Sequence, residues 1–237
     1  MKLSLEDLKT FSSCPVAFCF SNKDKKPTVT EREKIFHDVV CKAMLQITET
    51  SFRADWRRIV GWVDEKVFRK IDVADEDQFK AAKRNSEYIL VSLNKWYKDI
   101  YLEWTAEAFI GIPLESERSG VIIRDKAPII SLQDSIMGTY ISNDVHRNKK
   151  EYKRDMKIRG FAWLISEQLK CDIVTVQCLS LKKKGYVDIN SIEFDQDSLY
   201  RTGTYIENMC KVIKKKYFYP SVSEKCFDCK YYSRCNL

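Results

Sequence analysis

Four cysteines at the two ends of the chain constrain its fold more than any other feature. Cys226, Cys229 and Cys235 follow one another near the end with the spacing C-x2-C-x5-C. Three thiolates this close together predict a metal site, and both zinc and a cubane iron–sulfur cluster need a fourth ligand. Cys14 is the best candidate for that ligand, and Cys19 is a minor alternative. A site built from Cys14 and the tail would close almost the whole chain into one loop.

The nine cysteines also bear on the compartment. The segment Met1–Asp7 lacks the apolar region of a secretory signal, and no stretch approaches the roughly 20 apolar residues that a membrane helix needs. We therefore expect a cytoplasmic protein without a membrane partner, whose cysteines are thiols or metal ligands rather than disulfides. Buried small hydrophobes are the prediction for the other five: Cys19, Cys41, Cys171, Cys178 and Cys210.

The charge of the chain favours an anionic partner. It has 41 basic and 34 acidic residues, with a net charge of +7, and its lysines and arginines are clustered in residues 23–26, 147–157, 182–184 and 214–216. Basic clusters on one face attract polyphosphates. Each run taken alone is explained more simply as a solvated loop or helix end.

Hydrophobic periodicity divides the chain into a helical half and a sheet-rich half. Helices are predicted at 5–11, at 30–48 and through much of 55–104. Thr30 and Glu33 have the spacing of a capping box at the start of the second of these helices. Strands are predicted at 107–110, 121–123, 129–132, 139–145 and 173–181, with helices at about 151–170 and 198–217. We expect one mixed α/β domain over residues 1–237, with a helical insert at about 50–104 and a sheet core at about 105–185.

The cysteine segments resemble those of a known nuclease group. The run from Cys14 to Phe18 and the tail after Tyr219-Pro220 are similar to those of iron–sulfur nucleases of the AddB type and of CRISPR-adaptation nucleases, in the PD-(D/E)XK superfamily. The resemblance implies a restriction-endonuclease-like core. It also implies a 4Fe–4S cluster that joins both ends of the chain, bound by Cys14, Cys226, Cys229 and Cys235. A zinc site on the same cysteines is the alternative, and the long gap between the first and second ligands favours the cluster.

The same resemblance implies a catalytic set between the cysteines. The family has a His on an early helix, an Asp on one strand, an acidic-x-Lys on the next strand and a Gln-x-x-x-Tyr on the following helix. The corresponding positions here are His37, Asp134, Asp144 with His146 in place of the lysine, and Lys157 in place of the glutamine. A stricter register places Ser142 and Asp144 at the acidic-x-Lys positions, and a helix lysine (Lys149, Lys150 or Lys157) is the alternative to His146. The resemblance implies that His37, Asp134 and Asp144 hold Mg²⁺ or Mn²⁺, which activates water and neutralises phosphate charge.

Departures from the family pattern leave two functions open. Ser131 replaces a glycine, and the lysine of the acidic-x-Lys motif is missing. The first function is a metal-dependent DNA exonuclease that acts on single strands or duplex ends. The alternative is a catalytically degenerate domain that binds DNA or serves as a scaffold subunit of a larger complex. A zinc-binding interaction protein with an unrelated α/β core ranks third.

Overall fold

The computed structural model describes residues 1–24, 80, 108–132, 136–142, 148–181, 187–226 and 229–235. Its described strands are β1 (Lys2–Ser4), β2 (Ala108–Arg118), β3 (Val121–Leu132), β4 (Ile136–Ser142), β5 (Val174–Leu181) and β6 (Val187–Phe194). Its described helices with defined bounds are α1 (Leu5–Ser13), α2 (Pro15–Asp24), α3 (Lys149–Arg154), α4 (Met156–Leu169) and α5 (Gln196–Lys214). The fold is mixed α/β.

The strands form one mixed sheet around the long strand β3. One edge of β3 pairs with β2 in an antiparallel hairpin that turns at Ser119 and Gly120. The other edge pairs first with β1, in parallel at 122–124, and then with β4, antiparallel at 129–132. Strand β5 continues the sheet parallel to β4, and β6 closes it antiparallel to β5. Both chain halves therefore contribute to one sheet.

Helices α1, α4 and α5 pack together on this sheet. Helix α1 begins with a capping box, in which the Asp7 N–H donates to the Ser4 hydroxyl and the Ser4 N–H donates to the Asp7 carboxylate. The central helix α4 is buried through almost its whole middle, from Ile158 to Ile165. Helix α5 buries one stripe, from Leu199 to Ile213, and exposes the opposite face to solvent.

The structure confirms the mixed α/β class and corrects several predicted elements. The strands predicted at 121–123 and 129–132 are one continuous strand, and the helix predicted at about 151–170 is two helices. Asp155 separates these helices, because its carboxylate accepts from the Lys157 N–H and caps α4. Strands β1 and β6 and helix α2 were not predicted. The helix predicted at 30–48 and nearly all of 55–104 lie outside the described residues.

No helix in the described ranges is both long enough and apolar enough to cross a membrane.

Close packing between α4 and α5 depends on Gly203. A Cβ at this position would lie 2.7 Å from Trp163 Nε1, and the Trp163 ring is buried beneath the Arg118 guanidinium, 5.1 Å from its centroid. Although alanine favours a helix over glycine, we expect Gly203→Ala to lower the free energy of unfolding by about 1–3 kcal/mol, because the indole cannot move aside. Denaturant unfolding measures the change. The exposed neighbour Thr204→Ala is the control, and a Gly203→Ala protein as stable as the wild type would contradict this packing.

Candidate cysteine cluster and active site

Cys14 is held at the junction between α1 and α2. It ends α1 in an extended conformation, and its N–H donates to Thr10 O at 2.9 Å. Pro15 begins α2, a position at which the missing N–H of proline costs nothing. The Phe18 N–H then donates to Cys14 O at 3.1 Å, so the backbone is fixed on both sides of the thiol.

The three tail cysteines are brought together by a series of tight turns. The Cys226 N–H donates to Ser223 O at 2.9 Å, and the Cys229 N–H donates to Cys226 O at 3.1 Å. The Cys235 N–H donates to Tyr232 O at 3.2 Å in the last turn. The Ser223 N–H also donates to Cys226 Sγ at 3.4 Å. The spacing seen in the sequence is therefore that of consecutive turns, which fold the chain back on itself.

All four predicted cysteine ligands line one small cavity of about 20 Å³. Its wall is completed by Val16, Ala17, Pro220, Ser221, Tyr231 and Tyr232. Cys19 is not part of the wall, although its side chain is described and partly exposed. The structure thus brings Cys14, rather than Cys19, to the tail cysteines. Among the described residues, no three His, Cys, Asp or Glu side chains are placed to hold a single metal ion. The four thiols share a wall without converging on one point.

The chemistry of this donor set fits a bound metal group. Burial raises the pKa of the Cys235 thiol, and the charges of Cys14, Cys229 and Cys226 raise it further. A bound metal centre would displace the protons of these thiols and hold them as thiolates. Soft thiolate donors select zinc, Cu(I) or iron–sulfur clusters rather than Mg²⁺ or Ca²⁺. Both a 4Fe–4S cluster and a zinc ion are bound by four donors of this type.

Aromatic and cationic side chains fasten the tail to α2 beside this cavity. The Phe20 and Tyr231 rings are 5.5 Å apart, and the Arg234 guanidinium lies 4.7 Å from the Phe20 centroid. Phe18, on the same helix, contacts Phe218 with 6.0 Å between the ring centroids. The two chain ends are therefore packed together by side chains around the cysteines.

The predicted catalytic residues fall largely outside the described residues. His37, Asp134, Asp144 and His146 lie in ranges that the structure does not describe. Their proposed role in holding Mg²⁺ or Mn²⁺ stays a prediction. Lys157 is the member of the set that can be placed.

Lys157 lies in the first turn of α4 and faces both α1 and β4. Its Nζ is 3.0 Å from Glu6 Oε2 and 5.5 Å from the centroid of the Tyr140 ring. Burial works to lower the pKa of Lys157, but Tyr140 and Glu6 outweigh it, and the pKa is raised above its usual value. Lys157 is therefore a protonated cation at neutral pH.

Two further side chains of this site were missed in the sequence. Tyr140 on β4 contacts Phe161 of α4 at 5.8 Å between ring centroids. Burial raises the pKa of Tyr140 to about 12 against the opposing effect of Lys157, and Asp125 on β3 raises it further. The signal was the period of two along each strand. Asp125 lies two residues from the buried Ile123 and therefore on the same face of β3. Tyr140 likewise shares a face of β4 with Gly138, which packs against Phe161 and Ile165 of α4.

The raised pKa of Tyr140 gives a test at high pH. In the unfolded chain Tyr140 ionises near pH 10, but in the folded protein it does so at about 12. The folded state therefore resists ionisation, and the free energy of unfolding falls as the pH rises through this range. We expect Tyr140→Phe to lose less stability than the wild type between about pH 9 and about pH 11 in urea unfolding. The exposed Tyr205→Phe serves as control. An equal loss in Tyr140→Phe and the wild type would refute the assignment.

Comparisons with known proteins add little to this geometry. The chain matches no known family and none of the curated proteins. Among solved structures it is similar to the protein SSO0001, at 10% identity and a TM-score of 0.42, covering 99% of this chain and 86% of that one. It is also similar to a Eubacterium rectale protein provisionally named an exonuclease, at 14% identity and a TM-score of 0.46, covering 100% and 88%. Both TM-scores lie below 0.5, and no functional conclusion is drawn from these two similarities.

Proposed function

We propose that this chain is a nuclease-like DNA-processing protein with a 4Fe–4S cluster on Cys14, Cys226, Cys229 and Cys235. The observation that carries the proposal is the single cavity that these four cysteines line. Two of the sequence segments that resemble the iron–sulfur nucleases lie more than 200 residues apart, and the fold brings them into contact. The cluster would supply a structural bond between the two chain ends, since all four ligands are thiols.

The proposed reaction is metal-dependent exonucleolytic cleavage of DNA. His37, Asp134 and Asp144 are the proposed ligands of Mg²⁺ or Mn²⁺, which when bound activates water and neutralises phosphate charge. His146 or Lys157 would then replace the lysine that the family motif has and this chain lacks. The excess of basic residues, +7 in total, supports binding to the phosphate backbone without reading the bases.

One observation favours the second candidate, a DNA-binding subunit that does not cleave. Lys157 already has partners, because Glu6 pairs with its ammonium group and the Tyr140 ring lies beneath it. A lysine that must stabilise the charge of a reacting phosphate needs its ammonium group free to reach the substrate. In this arrangement Lys157 joins α1, β4 and α4 instead, which is a structural role.

An anaerobic cleavage assay separates the two candidates. The whole protein would be incubated with end-labelled single-stranded and duplex DNA, with Mn²⁺ in one series and EDTA in the other. We expect binding that weakens steeply with salt in both series, because backbone contacts release counterions. Short products with Mn²⁺ alone would support the exonuclease. Binding without products would support the non-cleaving subunit, and no binding to either DNA would overturn both.

A further inference from the structure

An exposed surface of lysines and tyrosines lies next to the cysteine cavity. It consists of Lys215, Lys216, Tyr217 and Tyr219 after α5, and of Lys230 and Tyr232 in the tail, and is called the tail surface below. The tyrosine rings are open to solvent: Tyr217 is 73% exposed, Tyr219 58% and Tyr232 51%. Tyrosines are usually much more buried than this, so three exposed rings on neighbouring segments call for an explanation.

The two segments of the tail surface are held on the same helix. Phe218 packs against Phe18 of α2, and Tyr231 packs against Phe20 of α2. Phe218 lies between the exposed Tyr217 and Tyr219, and Tyr231 lies between the exposed Lys230 and Tyr232. In each segment the central side chain packs on α2 and its two neighbours face solvent. Pro220 and Ser221 also share the wall of the cysteine cavity with Tyr231 and Tyr232. The exposed tyrosines are therefore displayed by a fixed backbone.

The lysines of this surface have their charge available to a partner. The neighbouring Lys211 is paired with Glu207 at 3.3 Å, and Lys214 donates to Ser119 O at 3.2 Å. The side chains of Lys215 and Lys216 form no hydrogen bond or ion pair with any residue that the structure describes, and both are exposed. Lys230 lies over the Tyr231 ring at 4.8 Å, with its ammonium group at the surface. Glu224 is the acidic residue in the segment 215–226.

We infer that the tail surface binds single-stranded DNA, a conclusion that rests on the proposed function in taking DNA as the partner. Lysines bind the phosphate backbone, and exposed aromatic rings stack on bases, which is how strands are held without sequence preference. The exposed tyrosine rings favour single-stranded over duplex DNA, because the bases of an unpaired strand are free to stack on Tyr217 and Tyr219. The strand would then run past the end of α5 and the cysteine cavity.

Fluorescence anisotropy with a labelled oligothymidylate of about 16 nucleotides tests this surface. The holoprotein is used throughout, and the iron content of each variant confirms that the cavity is intact. We expect Tyr217→Ala and Tyr219→Ala each to weaken binding about tenfold, because each removes one stacked base. Tyr217→Phe and Tyr219→Phe keep the ring and should bind as the wild type does. Lys215→Ala should reduce the slope of log affinity against log salt by about 0.7.

Tyr200→Ala is the matched control, because Tyr200 on α5 is as exposed as Tyr217, at 73%. It should leave binding unchanged. If the wild type binds the oligonucleotide and the two alanine variants bind equally well, the tail surface is refuted while DNA remains the partner. If the phenylalanine variants bind as weakly as the alanine variants, stacking is refuted. If the wild type binds duplex DNA but not this oligonucleotide, only this inference fails, and if it binds neither, this inference and the proposed function fail together.

Discussion

Replacing Cys226 with serine is expected to remove the iron of the proposed cluster and to lower the stability of the protein sharply. A serine hydroxyl does not ionise near neutral pH and is a poor ligand for iron in place of a soft thiolate. Without the cluster, the link between Cys14 and the tail is lost. Closing a loop of this length constrains the unfolded chain by about 5 kcal/mol in the chain-entropy estimate. We expect the iron content to fall to near zero and the melting temperature to fall with it.

Cys19 and Cys171 provide matched controls for this experiment. Both are partly exposed, as Cys226 is, and neither lines the cavity of the four cysteines. Cys19→Ser and Cys171→Ser should therefore keep the iron and the visible absorption. Full iron in Cys226→Ser would contradict the assignment of the tail ligands. Loss of iron in Cys19→Ser, with Cys14→Ser unaffected, would move the fourth ligand from Cys14 to Cys19.

Asp134→Ala is expected to abolish Mn²⁺-dependent cleavage while DNA binding persists. The proposed exonuclease needs this carboxylate to hold the metal ion, and loss of the metal from a hydrolytic site costs several kcal/mol of transition-state stabilisation, or about a thousandfold in rate. Binding should change little in EDTA, because basic side chains provide it. The measurement is the single-turnover rate with end-labelled DNA, alongside anisotropy with the same strand.

Asp125 is the informative comparison for Asp134. Asp134 falls between β3 and β4 in the sequence, outside the described residues. Asp125 instead acts directly on Tyr140, the neighbour of Lys157. If Asp125→Ala abolishes cleavage and Asp134→Ala does not, the catalytic carboxylate is on β3 rather than after it.

Much of the fold could be predicted because its strands and helices have regular periods, and the exceptions have local causes. Strand β6 was missed because its apolar residues do not keep one period of two along the sequence. Val187 and Ile189 occupy odd positions, whereas Ile192 and Phe194 occupy even ones. Helices α3 and α4 were merged because Asp155 interrupts neither the charge nor the apolar pattern. Only its cap hydrogen bond to the Lys157 N–H marks the break.

The grouping of cysteines in the candidate site could be predicted where these residues follow one another in the chain. The spacing of Cys226, Cys229 and Cys235 indicates that they lie close together, because turns between near residues bring them to one cavity wall. Their role as metal ligands stays a prediction. The surroundings of Lys157 could not be predicted in the same way. Glu6 and Tyr140 reach it from α1 and β4, which are distant in sequence, and only the packing of three elements joins them. Their individual residue types carry no signal of that contact.

The most direct test of this account is the metal content of the protein purified without oxygen. Iron, acid-labile sulfide and zinc would be measured on the same sample, together with its visible spectrum. We predict about four irons and about four sulfides per chain, with the broad visible band of a 4Fe–4S cluster. One zinc per chain without iron would contradict the cluster, and the resemblance to iron–sulfur nucleases would lose its main support.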